Sequence, residues 1–477
     1  MRMKKLSFKN KNVLIFGLGI LGGGAATANW LIKQGAKITI TDLKNKNLLQ
    51  DSLKKIKGKH GLSLGGHKKS DIDANEIIVV NPDVSIENEF IKYAYLKGKI
   101  TVNEASIFFE NFKKPIVAVT GTRGKTTTVV WINHFLKMRF RTSPAGNSID
   151  CQFLKVLSSK NRLDVSVVEI SSFHLEYFNN IKLAPDIAVI TNIYQDHLNR
   201  HKTIKNYALT KANVFKNQNE NQNLILNYDN KWTKLFLKLK PKSKIWFFSL
   251  TPLPLNLNGL YYAKNNAILN FNRKRSKVIN LIGFEKKYGR HNLQNILASS
   301  LAAYLFGIKW NDIRKAIKNL PRIEFRQQEI FKNKNLTIIN DTTATSPEGG
   351  IAALNRFGGP NTILITGGTD RNLDYKEWRK VVSRKIKPEN LVFISGSSTD
   401  KMLGLLKNKT EKPLVCDNLE DCVGEAFKIA KIQPKSIILF SPASKSFEKF
   451  KNEYDRGNKF NAVIKNFLKK YKPISGK

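Results

Sequence analysis

Residues 115–131 read PIVAVTGTRGKTTTVVW. An apolar, β-branched run enters a glycine turn, and a lysine with three threonines opens a helix behind it. Such a run suits a strand buried on both faces, the condition of a parallel sheet covered by helices. The turn GTRGKT (121–126) is a phosphate nest. Backbone N–H groups converge on an anion, Lys125 reaches its outer oxygens, and the Thr126 hydroxyl can ligate a divalent cation. The loop is shorter than the usual nucleotide pattern, because Val119 stands where that pattern has its first glycine.

Outward from this loop, DVSVVEISS (164–172) and DIAVITNI (186–193) are two more buried runs for the same sheet. Ligands of open α/β sheets gather at the carboxyl ends of strands. Glu169 ends the first run, and Asp196, His197 and His201 follow the second within TNIYQDHLNRH (191–201). A carboxylate and an imidazole beside a phosphate loop suit a hard divalent ion that phosphates already hold. The polar KNQNENQN (216–223) is a loop before another strand, LILNYDN.

Ahead of the loop, strands at 13–16, 37–41 and 77–80 alternate with helical stretches. GLGILG, with Gly17, Gly19 and Gly22, follows the first strand and Asp42 ends the second, matching G-x-G-x-x-G with an acidic partner. The glycines let the backbone approach a diphosphate at a helix N-terminus, and the carboxylate accepts from a ribose or base. These residues do not choose among NAD, FAD and a UDP-sugar. From about 321 a third alternation begins, with strands at LTIINDT, TILITGG, NLVFISG and SIILFSP. The expectation is α/β in three domains. Residues 1–113 are Rossmann-like, 114–320 a central P-loop ATPase with a mainly parallel sheet, and 321–477 Rossmann-like again.

The composition sets limits. In 477 residues, 41% hydrophobic and 25% charged content is that of a globular protein, but a net charge of +44 is not ordinary. The lysines run along the whole chain with no basic arm, RNP-like aromatic motif or zinc-finger spacing, so they read as solvated faces rather than a nucleic-acid site. Three scattered cysteines, Cys151, Cys416 and Cys422, form no disulfide framework and fit a reducing cytoplasm. No apolar run is long enough to span a bilayer. MRMKK followed by VLIFGLGILGGGAATA imitates a secretory leader, but its glycines sit at nucleotide-loop spacing and it runs on into a second strand.

GTRGKTTT, EISSFHLE, TNIYQDHLNRH, YGRHNLQNILAS, NDTTATSPE and SPASKSFEKF, in this order, resemble the Mur ligase family of ATP-dependent amino-acid-adding enzymes of peptidoglycan precursor synthesis. GLGILG…GAKITITD is similar to its glutamate-adding branch. The resemblance implies that a cytoplasmic, monomeric enzyme with no membrane insertion adds glutamate, most often D-glutamate, to UDP-N-acetylmuramoyl-L-alanine through an acyl phosphate. It places Gly19, Ile20, Leu21, Asp42, Leu43 and Asn147 on the UDP substrate. Gly121, Thr122, Arg123, Gly124, Lys125, Thr126, Thr127, Asn292, Asn295, Arg326 and Asp341 would hold ATP. Thr126, Glu169, His197 and Lys211, the last as a carbamate, would hold two Mg²⁺ ions; Lys125, Glu169, His197 and Lys211 carry the catalysis. Thr345, Arg371 and Ser446 would take glutamate.

The pattern breaks in places. Thr343 stands where the branch commonly has lysine, Arg371 where a lysine binds a glutamate carboxylate, and Glu453 where phenylalanine is common. Asn81-Pro82-Asp83 replaces S-P-G, and Phe325 replaces the histidine before Arg326. These changes leave open the sister enzymes that add L-glutamate. A nicotinamide-dependent oxidoreductase, suggested by GLGILG and Asp42, leaves the phosphate loop and the magnesium residues without a task. A basic P-loop protein acting on nucleic acid is the third class.

Overall fold

Val13, Leu14, Ile15 and Phe16 are all buried, as a strand covered on both faces requires. The computed structural model describes residues 6–20, 22–146, 152–180, 184–406 and 414–470. Leu21, Asn147 and Cys151 therefore lie outside the described residues. Two compact units emerge, residues 1–285 with 292–321, and residues 286–291 with 322–477.

In the first unit, β1 (Asn12–Phe16), β2 (Lys37–Asp42), β3 (Gly61–Leu64), β4 (Ile77–Val80) and β5 (Ile100–Val102) form an all-parallel sheet in the order β3-β2-β1-β4-β5. The order turns back at β1, so the glycine loop after it opens at a topological switch point. Its helix, Gly23–Lys33, begins behind Gly22 in a left-handed conformation.

The second sheet of this unit has nine strands. They are β6 (Ile116–Thr120), β7 (Thr142–Gly146), β8 (Val165–Glu169), β9 (Ile187–Ile190), β10 (Asn223–Asn227), β11 (Lys244–Ser249), β12 (Gly259–Ala263), β13 (Asn266–Phe271) and β14 (Lys274–Asn280). Their order is β14-β13-β12-β11-β10-β9-β6-β8-β7. The strands expected at 115, 164, 186 and LILNYDN form its parallel centre. The antiparallel meander of β12, β13 and β14 was not foreseen. Its two turns, Lys264-Asn265 and Asn272-Arg273, have positive φ at both residues without a glycine. Along β14, Lys274, Arg275, Ser276 and Lys277 are exposed.

One continuous core joins these two sheets, running from Val13 and Ile15 through Phe108 and Phe153 to Ala118 and Ile190. The helix Glu104–Asn111, capped by Asn103 on Ser106 N at 2.9 Å, supplies the aromatic part. Phe108 lies 5.4 Å from the Phe153 ring, and Phe109 meets Phe178 edge-on at 5.0 Å.

The second unit holds β15 (Gln328–Lys332), β16 (Leu336–Asn340), β17 (Thr362–Thr366), β18 (Leu391–Ile394), β19 (Leu414–Cys416) and β20 (Ser436–Phe440). Their order is β15-β16-β20-β17-β18-β19, parallel except for β15. The chain is thus α/β with three mainly parallel sheets, as expected.

Candidate active site

The phosphate loop leaves β6 at the point where strand order reverses, between β9 on one side and β8 on the other. That placement brings three strand ends together. Gly121 at φ 140° and Gly124 at φ 83° make the turn. A Cβ on Gly121 would sit 1.9 Å from Thr191 Oγ1, and one on Gly124 would sit 2.3 Å from Asn295 Oδ1. Only glycine fits either place.

The loop is clamped from the β9 end. Thr122 N donates to Asn192 O at 2.8 Å and Arg123 N to Asn192 Oδ1 at 2.8 Å. Thr191 Oγ1 donates to Arg123 O at 2.7 Å. Arg123 pairs with Asp196 at 2.9 Å. His197 follows in a left-handed conformation (φ 54°), its ring 4.8 Å from that of Phe173. Lys125 and Thr126 start the helix Lys125–Leu136, with Thr127 behind them and Lys125 Nζ donating to Thr122 O at 3.1 Å. Glu169 is the last residue of β8, in register with Val119 of β6 and Gly146 of β7. Asn295, in the helix Asn292–Leu305, is buried under the loop, accepting from Thr128 Oγ1 at 3.4 Å and donating to Asn292 Oδ1 at 2.8 Å.

Lys211 is 1% exposed, in the helix Ile204–Ala212, with its Nζ 3.3 Å from Thr120 Oγ1 and 4.7 Å from the Tyr207 ring centroid. Burial, then the charge of Lys125, pushes its pKa far below the lysine range, while Asp196 and Glu169 act the other way. His201 is buried, with Nε2 3.0 Å from Ser172 Oγ, and burial takes it down to about 4; it is a neutral packing residue.

Sequence spacing did not reveal Arg200 and Glu176, which brace this site. Their side chains are 8% and 6% exposed and meet at 2.5 Å. Arg200 also donates to Asp83 O at 2.7 Å and Val84 O at 2.8 Å, tying the turn after β4 to the central sheet. Arg200→Met strands a buried carboxylate, and unfolding by denaturant is expected to show a loss of about 3 kcal/mol.

At the glycine loop, the Asp42 carboxylate serves the loop itself. Its Oδ2 accepts from Leu18 N at 2.9 Å and Gly19 N at 3.1 Å, and its Oδ1 from Lys44 N at 2.9 Å. Asn81 lies against Gly17 and Gly19, donating to Gly17 O at 3.3 Å. Ile20 and Leu43 are exposed, 49% and 71%, apolar groups beside a polar loop.

The second unit carries the remaining residues. Asp341 ends β16's turn, buried, accepting from Gln327 N at 3.0 Å and Ser441 Oγ at 2.9 Å; burial raises it to about 7 against the pull of nearby Arg326. Arg371 is exposed and covers the Phe447 ring at 4.9 Å. Thr369 and Lys445 form a two-residue bridge that brings the Arg371 loop to the Ser446 loop. The Ser446 side chain is buried, and its Oγ has no hydrogen-bond partner among the described residues. Thr345 is half-buried in the turn after β16, where Thr343 Oγ1 donates to Phe325 O at 2.7 Å. Glu453 opens the helix Glu453–Lys470, a favourable end for an acid.

The chain is similar to known proteins over nearly its whole length. Residues 11–103 match the Mur ligase MurD-like N-terminal domain, and residues 119–303 match the Mur ligase middle domain. The UDP-N-acetylmuramoylalanine–D-glutamate ligase of Roseiflexus sp. (strain RS-1) is 32% identical over 97% of this chain and 100% of its own length. That of Borreliella afzelii (strain PKo) is 33% identical over 97% and 99%. Among solved structures, the UDP-N-acetylmuramate–alanine ligase MurC of Thermotoga maritima shares the fold with a TM-score of 0.60 at 15% identity, covering 97% of this chain and 100% of its own. MurF of Thermotoga maritima, in complex with ADP, gives 0.56 at 16% identity, covering 91% and 95%.

Proposed function

We propose, since the chain belongs to the Mur ligase family, that it joins D-glutamate to UDP-N-acetylmuramoyl-L-alanine at the expense of ATP, releasing ADP and phosphate, in peptidoglycan precursor synthesis. The observation that carries this reading is full-length similarity to several D-glutamate ligases at 31–33% identity. It favours the D enantiomer over the L alternative, and it gives the glycine loop a UDP-sugar rather than a nicotinamide.

The chemistry follows from the residues. A carboxylate is a poor electrophile because its oxygen leaves badly. Transfer of the γ-phosphoryl group to an oxygen of the terminal alanine carboxylate makes an acyl phosphate. The amine of glutamate attacks that carbon, phosphate departs with the shared oxygen, and the ammonium loses a proton to give the amide. Gly124, Thr126 and Thr127 would hold the phosphates through backbone N–H groups, Gly121, Thr122 and Arg123 would shape the loop around them, and Lys125 would neutralise charge as it moves between oxygens. Asn292 and Asn295 would face the nucleotide from below the loop, with Arg326 and Asp341 assigned to ATP in the second unit. Gly19, Ile20 and Leu43 would contact the UDP moiety, Asp42 acting by holding the loop's shape. Thr345, Arg371 and Ser446 would bind glutamate, Arg371 with a planar fork suited to a carboxylate.

The donor set fits Mg²⁺. Among the described residues no three His, Cys, Asp or Glu side chains form a cage. Thr126, Glu169 and His197 would supply a partial shell, which suits an ion that keeps waters and takes phosphate oxygens. Bound there, two ions would polarise phosphoryl oxygens and neutralise charge. Lys211 as an ammonium is no ligand; as a carbamate it would be. Among the described residues no helix is long and apolar enough to cross a membrane, and we place the enzyme in the cytoplasm as a monomer.

Incubation with ATP, UDP-N-acetylmuramoyl-L-alanine and each glutamate enantiomer tests the reading. ADP release with D-glutamate and near-background release with L-glutamate is expected. The reverse preference would move the chain to the L-adding branch, and silence with both would overturn ligation.

A further inference from the structure

Arg456 lies in the first turn of the helix Glu453–Lys470 and its side chain is 0% exposed. A buried cation is costly, and a helix N-terminus is the wrong end for one. No ion pair offsets the cost among the described residues; Glu453 and Asp341 act on it only through their charge. Every hydrogen bond it makes goes to a neutral oxygen. Nε donates to Thr342 Oγ1 at 3.0 Å and NH2 to Thr342 O at 2.7 Å. NH2 also donates to Ser444 O at 3.1 Å, and NH1 to Lys445 O at 3.1 Å. Thr342 Oγ1 passes the chain on by donating to Glu453 O at 3.1 Å.

These contacts join two loops that run in parallel from neighbouring strands, β16 and β20. One loop leads to Thr345 and the other to Ser446. A third loop is packed against the same fork, since a Cβ on Gly368 would sit 3.5 Å from Arg456 NH1, and it leads to Arg371. Above this network Ser446 Oγ is buried and unbonded, a hydroxyl held ready for a partner that is not protein.

Building on the ligase reading, we propose that Arg456 is a positioning residue for the incoming amino acid. Its fork fixes the spacing of the loops that carry Thr345, Arg371 and Ser446, and its buried charge draws in a dicarboxylate. Lysine cannot reproduce four directed bonds from one planar group.

Steady-state kinetics on the full chain, varying glutamate, ATP and the nucleotide sugar in turn, test this on wild type, Arg456→Lys and Thr342→Val. Arg456→Lys is expected to raise the glutamate KM about tenfold while the other two KM values stay within about twofold. Thr342→Val, which removes the hydroxyl that accepts from Arg456 and donates to Glu453 O, is expected to raise it about threefold, and decides the matter if the lysine variant does not fold. A merely structural role would lower the active fraction, and so kcat, with every KM unmoved. That result, or an unchanged glutamate KM in either folded variant, overturns the proposal while the wild type remains an active ligase. A wild type inert towards all three substrates would overturn the ligase reading and this inference together.

Discussion

Lys211→Ala is expected to lower turnover about a hundredfold, and short carboxylates such as formate or acetate are expected to restore part of it. The side chain is sealed from water beside Thr120 and Tyr207. Burial and the charge of Lys125 together disfavour its ammonium form. A neutral amine is the form whose lone pair adds to carbon dioxide, losing one proton and leaving a carbamate. The position would then change from a neutral amine near Lys125 and Arg123 to an anion that balances them. Alanine leaves a cavity without that charge, and a small acid can enter and supply it. Depleting dissolved carbon dioxide from the wild type should lower the rate in the same direction. ADP release measured with and without formate checks this, and a fully active alanine variant would falsify the carbamate.

Lys125→Met is the more damaging change, with a loss in kcat of about a thousandfold. The lysine opens its helix behind a left-handed glycine and folds back onto Thr122 O at 3.1 Å. A neutral carbonyl is a weak competitor for an ammonium, so arriving phosphate oxygens would take the contact over. Methionine keeps the length of the stem and removes the charge, and the loop keeps its bonds to Thr191 and Asn192. The fold is therefore expected to survive while phosphoryl transfer stops. Single-turnover ADP formation and a thermal melt separate the two effects; a folded variant with near-normal chemistry would remove Lys125 from the reaction.

The parts of the fold that were legible are those in which burial writes itself into the sequence. The β6, β8 and β9 strands read as apolar runs because helices cover both faces. The phosphate loop was legible because Gly121 and Gly124 have no substitute. The meander was not, because its turns use Lys264-Asn265 and Asn272-Arg273 in place of a glycine, and because β14 looks polar. Asp42 was found by spacing, but spacing could not say that its oxygens turn inward to Leu18 and Gly19. Arg200 and Glu176 stand 24 residues apart and Arg456 stands 114 from Thr342, separations at which one chain carries no pairing signal.

The meander has one more effect. Its last strand ends the nine-stranded sheet, and a border strand is the kind onto which a neighbouring molecule can zip its own. Lys274 and Lys277 are exposed along that strand, so two copies approaching border to border would press like charges together. Lysines so placed would oppose fibrillar self-association, a task with no bearing on nucleotides or amino acids.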